Sequence, residues 1–422
     1  MAALRDVFGV HNPPPLLTYV DRAGLDERIK HFLSTGRHLV LHGPSKQGKT
    51  ALRKRALSDD SCIVIQCRNR PTLEQVYAEI LGSIGAVVET TRAATSSKEV
   101  SGSGEAKAGG SVFGFFTGEA KATGGGKATW QSTSTQQVTG VGPNNIRFVA
   151  QSVLESGKRL VLEDFHYVPE EEKKNLANDL KALYELQVPV ILVGAWEQQQ
   201  LLPQYNGDLT GRVDEINVRW TDAELRAVLE KGETALNIIF VRPIKDAMIH
   251  DASGNVGLLQ RLAERVCIAA GVLVTQSDDR AKQIRKQSLL DSARQGICQE
   301  EAARYRRFGW SVCEGFPNSN EATKRLYMYV IQVCVEAQDA ELLAGLPLQQ
   351  IEERIQKLNS AVQTKAIRAA LQQIDKLQSE KSIYPVIATY DPVNRVVNLA
   401  DRELLFYRKY GGPNWPWENT DE

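Results

Sequence analysis

The residues best suited to chemistry form one run, Gly43-Pro44-Ser45-Lys46-Gln47-Gly48-Lys49-Thr50, with the spacing Gly-x-x-x-x-Gly-Lys-Thr. Apolar Leu39-Val40-Leu41 leads into it, and helix-compatible Ala51-Leu52-Arg53-Lys54-Arg55-Ala56-Leu57 follows. That is the strand–loop–helix context a P-loop requires. Gly43 and Gly48 let the backbone curl so that its N–H groups face phosphate at a helix N-terminus. Lys49 is expected to neutralise β- and γ-phosphates, and the Thr50 hydroxyl to coordinate Mg²⁺. Ser45, Lys46, Gln47 and Ala51 complete the expected cradle. A second signal is Leu160-Val161-Leu162-Glu163-Asp164, an apolar strand ending in two carboxylates. Behind a P-loop, one carboxylate, Glu163, is expected to hold Mg²⁺ through water. The other, Asp164, is expected to orient the attacking water.

These groups need a scaffold that brings strand ends together. A third apolar strand over Val188–Val193 ends at Gly194, as a parallel sheet alternating with helices requires. Leu25, Ile29, Phe32 and Leu33 recur at helical spacing within residues 22–33. Leu73, Val76, Ile80 and Leu81 do so within 71–84, where Pro71 suits a helix start. The expected fold is α/β, with a three-layer parallel-sheet core.

Taken together, Thr18-Tyr19-Val20-Asp21-Arg22, the following helix, the P-loop, the acidic strand and the Val188 strand resemble an ATPase of the AAA+ and STAND superclass. The branch holding replication initiators and transposition regulators is the most similar. The resemblance spans roughly residues 15–265 apart from one insertion, and it implies ATP and Mg²⁺ as ligands. It implies that Tyr19 and Val20 contact the base. It also implies that Arg212, in Asn206-Gly207-Asp208-Leu209-Thr210-Gly211-Arg212, is an arginine finger reaching the γ-phosphate of a neighbouring subunit, with Arg219 as the substitute. Three departures stand out. The acidic pair reads Glu163-Asp164 where the family has Asp then Glu, so the base has a shorter arm and hydrolysis is expected to be slow and switch-like. The polar sensor after the third strand is replaced by Gly194-Ala195-Trp196, leaving Glu197 or Gln198 as stand-ins. The arginine of the second sensor helix falls on Gly257, leaving Arg261 as its substitute.

The chain has 422 residues, enough for two or three domains. Lys plus Arg and Asp plus Glu number 51 each, so no global charge draws it to nucleic acid or an anionic membrane. Hydrophobic residues at 42% exclude wholesale disorder. The longest apolar stretch, Val188–Trp196, is far short of the roughly 20 residues of a helical span. The first six residues, Met1-Ala2-Ala3-Leu4-Arg5-Asp6, lack the apolar core of a signal peptide. A soluble, cytoplasmic protein is expected, with no membrane partner. The cysteines at 62, 67, 267, 298, 313 and 334 include no CxxC pair, and Cys62 and Cys67 read as buried thiols rather than zinc ligands.

Residues 1–220 are expected to form the ATPase core. A Gly/Ser/Ala-rich insertion at 92–142 reads either as a flexible surface segment or as β-hairpins. Residues 221–313 read as a helical lid, with Thr221 and Glu224 forming a capping box. Arg304-Tyr305-Arg306-Arg307-Phe308-Gly309-Trp310 mixes cations and aromatics; it reads as a solvated helix end or as a nucleic-acid contact. Beyond a linker at 314–320, helical patterns at 323–337, 348–358 and 364–379 precede strand-like 384–390 and 395–399, joined by a turn at 391–394. Three helices and a hairpin over 321–422 resemble a winged helix, whose third helix carries Lys365, Arg368, Gln372 and Lys376.

The leading functional expectation is an ATP-driven switch that assembles into a homo-oligomer, with a protein or nucleic-acid partner. Antiphage defence, transposition and DNA maintenance are settings that suit it. The alternative is a DNA-binding regulator in which nucleotide is mainly structural. A small-molecule P-loop kinase fits poorly, because an Arg-rich lid is missing and the C-terminal extension is long.

Overall fold

The computed structural model describes residues 1–11, 14–68, 70–86 and 142–419. The insertion expected at 92–142 therefore lies, apart from Gly142, outside the described residues. Five strands build the central sheet: β1 (His38–His42), β2 (Cys62–Gln66), β3 (Arg159–Glu163), β4 (Val190–Val193) and β5 (Val213–Asn217). They are all parallel in the order β2-β3-β4-β1-β5. Because side chains alternate across a strand, neighbouring residues feed two separate cores. Val40, Leu160, Leu162, Val190 and Leu192 pack on one face, against α3 (Leu73–Ser83), α4 (Ile146–Ser156) and α5 (Glu170–Glu185). Leu39, Leu41, Val161, Ile191 and Val193 pack on the other, against α1 (Leu25–Ser34) and α2 (Lys49–Ala56). A short α6 (Leu201–Tyr205) precedes β5.

The lid follows. α7 (Asp222–Leu236) begins with the capping box of Thr221 and Glu224, and Pro243 sits in the first turn of α8 (Arg242–Ala252). α9 (Val256–Ala269) and α10 (Gln287–Cys313) complete the helices. A two-stranded parallel sheet of β6 (Ile238–Phe240) and β7 (Lys282–Ile284) has no counterpart in the sequence reading, which took residues 221–313 as helical. Leu4, Val7 and Phe8 of the N-terminal segment are buried in this lid's core. The phenyl ring of Phe8 lies where a Cβ on Gly232 would sit, 2.0 Å from its Cζ, so that helix position admits no side chain.

The C-terminal region contains α11 (Glu321–Glu336), α12 (Asp339–Ala344), β8 (Leu346–Pro347), α13 (Leu348–Leu358), α14 (Thr364–Gln372) and α15 (Ile374–Glu380). After these come β9 (Ala388–Asp391), β10 (Val396–Leu399) and α16 (Glu403–Tyr410). The three strands form an antiparallel sheet in the order β8-β10-β9. The expected third helix is interrupted at Gln373, and the first expected strand starts only at Ala388, after the Tyr384–Pro385 bond. One apolar cluster runs from the lid into this region, joining Leu290, Tyr305 and Phe308 to Tyr327, Ile351 and Tyr407. Tyr305 and Phe308 are thus buried, and Arg304 pairs with Glu301 and Asp401. Among the described residues, no helix is long and apolar enough to cross a membrane.

Candidate nucleotide-binding site

β1 ends where the loop of residues 43–48 begins, and α2 starts at Lys49. Gly43 has φ 127°, and a Cβ there would lie 2.6 Å from the Val218 carbonyl oxygen; only glycine fits. Gly48, at φ 75°, turns the chain into α2 and leaves that helix's first N–H groups free for an anion. The Lys49 side chain is buried and donates to the Gly43 carbonyl at 3.0 Å and to that of Pro44. Burial pushes its pKa down to about 7, opposed by the charges of Glu197 and Asp164. It is a cation held by neutral carbonyls and still short of a counter-charge.

The acidic pair divides. Glu163, 5% exposed, accepts from Arg53 Nε at 3.0 Å and Nη2 at 2.7 Å on one oxygen, and from Gln66 Nε2 at 3.0 Å on the other. It does not line the nucleotide pocket. Asp164 does, with the left-handed φ of 57°, and it accepts from Arg68 Nε at 3.0 Å. Two residues on, His166 Nδ1 accepts the Ala195 amide at 3.2 Å, so the neutral ring carries its proton on Nε2. Among the described residues that buried Nε2 has no partner, and the ring lines the pocket. Burial, with the charges of Lys49 and Lys173, holds the His166 pKa down at about 3. The ring is a fixed neutral donor.

The pocket has a volume of about 370 Å³. Ser45 to Ala51, Asp164 and Tyr19 line it together; Gly43 and Pro44 contribute only through the carbonyls under Lys49. Val20 does not line it and packs against the lid instead. Tyr19 donates to Asp26 beneath the Arg55 guanidinium, which lies 4.3 Å from the ring centre. Arg22 also lines the pocket. Its Nη1 donates to the Gln47 carbonyl at 3.0 Å, and Trp220, stacked 4.3 Å away, donates to the same oxygen. The N-terminal segment crosses the pocket and is pinned to α9 by His11, 2.9 Å from Glu264, and by Gln260. Gln260 accepts from the Gly9 amide at 3.2 Å and donates to Thr18 at 2.9 Å.

The sensor substitutes also have definite places. Gly194 can carry no side chain, since a Cβ would lie 2.2 Å from the Trp196 ring. Glu197 is taken by Arg219 and by Arg402, the latter at 3.3 Å, and neither Glu197 nor Gln198 lines the pocket. Gly257 donates to the Lys46 carbonyl at 3.2 Å and packs so closely that a Cβ would come 2.9 Å from that of Lys46. Arg261, one helical turn on, points away into Glu300, Glu301 and Glu403. Arg212 sits before β5, at the sheet end opposite the P-loop. There it lies 3.6 Å from Glu185 and 5.3 Å from the Tyr184 ring centre. The C-terminal region meets the P-loop directly: Ser45 donates to the Ala400 carbonyl at 2.9 Å and Lys46 to Glu403 at 2.7 Å.

Residues 30–202 match the family described as AAA domain. A solved Walker-type ATPase of Pyrococcus abyssi superposes with a TM-score of 0.51 at 14% identity, covering 92% of this chain and 96% of that one. The core has the fold of a P-loop ATPase. Cdc6p of Pyrobaculum aerophilum (12% identity, TM-score 0.37, 96% and 98% covered) is also similar. So is the RuvB Holliday junction branch migration motor of Thermotoga maritima (12%, 0.36, 93% and 96%). No curated protein matches the chain. The sequence reading of the AAA domain passed over His166, Arg22 and Gln260 as site residues. For His166 there was a usable signal, a lone imidazole two positions after a candidate base. Gln260 had none, because its role depends on where the N-terminal segment lies.

Proposed function

We propose that the chain binds and hydrolyses ATP with Mg²⁺ and is a nucleotide-dependent switch that assembles into a homo-oligomer. The observation that carries this reading is the donor set of one pocket. The Lys49 ammonium rests on two neutral carbonyls, and the His166 ring lines the same pocket with its Nε2–H unpaired among the described residues. Both groups suit a phosphate chain, and the free amides of α2 add to them. The Thr50 hydroxyl in the first turn of α2 is bound to no other side chain among the described residues, and Asp164 lines the same pocket. These two would hold Mg²⁺, which would neutralise phosphate charge. Glu163 can join them only by giving up Arg53 or Gln66. Asp164 would orient water, and Arg212 would serve the pocket of a neighbouring copy, since its own lies at the far end of the sheet.

The winged-helix-like C-terminal region would act as the moving part, because it already grips Ser45 and Lys46. A DNA-binding role for it has less support. Arg368 is tied to Glu352 at 2.8 Å, Gln372 lines an internal cavity, and Lys376 lies over the Phe316 ring. All four side chains of the expected recognition helix, Lys365 included, are exposed, and among the described residues Lys365 is the one without such a tie. Particle mass in solution tests the reading. A monomer with ADP should become a ring or filament with a slowly hydrolysed ATP analogue and Mg²⁺. A monomer in both conditions would remove the shared site.

A further inference from the structure

A second cavity, of about 600 Å³, lies between the AAA domain and the C-terminal region. Its walls are the turn from β3 into α5, the segment from β4 to α6, the α14–α15 junction and the β9–β10 hairpin. The size is within the range of small-molecule sites, about 300–1,000 Å³. His166 and Ala195 belong to its wall and to the wall of the nucleotide pocket alike.

Two opposite charges face this space without a close partner. Lys173, 16% exposed, has Glu170 as its nearest carboxylate at 3.9 Å, beyond hydrogen-bond reach. Glu170 is itself engaged by the Tyr205 hydroxyl at 2.6 Å. The Asp375 carboxylate receives one long contact, the Tyr390 amide at 3.4 Å. Among the described residues no side chain completes either group, and Arg70 adds a second cation to the same wall. Lys173 is mostly buried, which lowers its pKa against the charges of Glu170 and Asp375, while Asp375 is an exposed residue on the cavity wall. A structural pair would have closed, as Lys245 and Glu233 do at 2.7 Å. A desolvated ammonium left without a hydrogen-bonded counter-charge costs stability, and such costs concentrate at sites kept for a ligand.

We propose that this cavity binds a small zwitterionic metabolite, its carboxylate or phosphate on Lys173 and Arg70 and its ammonium on Asp375. Tyr167, Tyr205 and Tyr390 line the same space and offer faces to an aromatic or cationic remainder. A molecule held there touches both the AAA domain and the C-terminal region, so occupancy favours their docked arrangement.

Calorimetry on the full chain tests this, after saturation with ADP and Mg²⁺ and with ADP binding recorded separately, so that a failed nucleotide site is told apart from a failed second site. The probes are L-phenylalanine, L-arginine, phosphoethanolamine and inorganic phosphate. At least one zwitterion should bind, at least tenfold more tightly than inorganic phosphate. Lys173→Met and Asp375→Asn should each weaken it at least tenfold. Preference for phosphoethanolamine would identify a phosphate as the anionic end; preference for an amino acid, a carboxylate. No binding by any probe, or equal binding in both variants, overturns the proposal. A second readout needs no ligand. Lys173→Met should raise Tm by about 2 °C or more, because it removes an unpaired ammonium. A fall of that size would make Lys173 structural and sink the site.

Discussion

Lys46, inside the phosphate-binding loop, donates to Glu403 of the C-terminal region over 2.7 Å, and Glu403 is 1% exposed. Arg261 of α9 donates to the same carboxylate oxygen at 3.1 Å. One buried carboxylate therefore ties together the P-loop, the lid and the last helix. Glu403→Gln keeps the shape but removes the charge that holds two cations. It should loosen the docking of the C-terminal region and speed release of a fluorescent ADP analogue at least tenfold. Removing one partner of a buried pair costs about 3–5 kcal/mol. An unchanged release rate would detach this contact from nucleotide exchange.

Lys49 sets a pH dependence. Its pKa in the folded chain, about 7, lies below the ordinary lysine value of 10.5, and burial is the main cause. Between those two values the unfolded chain carries the extra proton, so the folded state gains stability from this group as pH rises from 7 towards 10.5. A bound triphosphate restores the ammonium, because it supplies the missing negative charge. ATP binding at pH 8.5 should therefore take up close to one proton at this residue, and little at pH 6. Calorimetry in buffers of different ionisation enthalpy measures the uptake. Lys49→Ala should remove both the uptake and the binding.

Much of this architecture was readable because it depends on local pattern. The central strands β1, β3 and β4 are buried on both faces and so carry the continuous apolar runs Leu39–Leu41, Leu160–Leu162 and Val190–Val193, and the P-loop is a contiguous motif whose glycines answer local backbone needs. The capping box of α7 is similarly local. What escaped the reading depends on distant partners. Glu163 looks like a metal ligand by position, yet Arg53 and Gln66 occupy it; nothing in the spacing of residues 53, 66 and 163 announces that meeting. Val20 and Tyr19 are adjacent, but only the fold decides which of the two faces the pocket. The β6–β7 sheet pairs two three-residue strands about 40 positions apart, too short for a period to show.

The acidic pair should separate in experiment. Glu163→Ala leaves Arg53, 2% exposed, with Asp59 as its remaining partner, and should destabilise the fold by about 3 kcal/mol. Asp164→Asn removes a charge from the pocket wall, where only Arg68 loses a partner. It should leave Tm within about 1 °C while abolishing hydrolysis and sparing ATP binding. Equal loss of stability in both variants would reject this division of roles.

His166 should matter for turnover and little for affinity. Its ring is fixed by the Ala195 amide, and its low pKa keeps it neutral across the working range, so it adds no pH dependence between 5 and 9. His166→Ala removes a preorganised donor beside Asp164 and should lower kcat by about 10²-fold. Nucleotide affinity should stay within threefold. A variant that loses affinity and turnover together would make the ring a structural wall of the pocket.

Arg212 can be tested in mixtures. Within its own chain it is held by Glu185 and Tyr184, and among the described residues its buried Nη1 has no hydrogen bond. If its role is in a neighbour's pocket, Arg212→Ala should bind ATP normally and fail to hydrolyse it. Lys49→Ala should fail for the opposite reason, since it offers an intact Arg212 but an empty pocket. Neither variant turns over alone, yet at an interface the arginine of the second can complete the pocket of the first. Mixing them at equal concentration should restore part of the wild-type rate, rising with total protein. Mixtures as inactive as their components, with oligomers still forming, would confine Arg212 to its contacts with Tyr184 and Glu185.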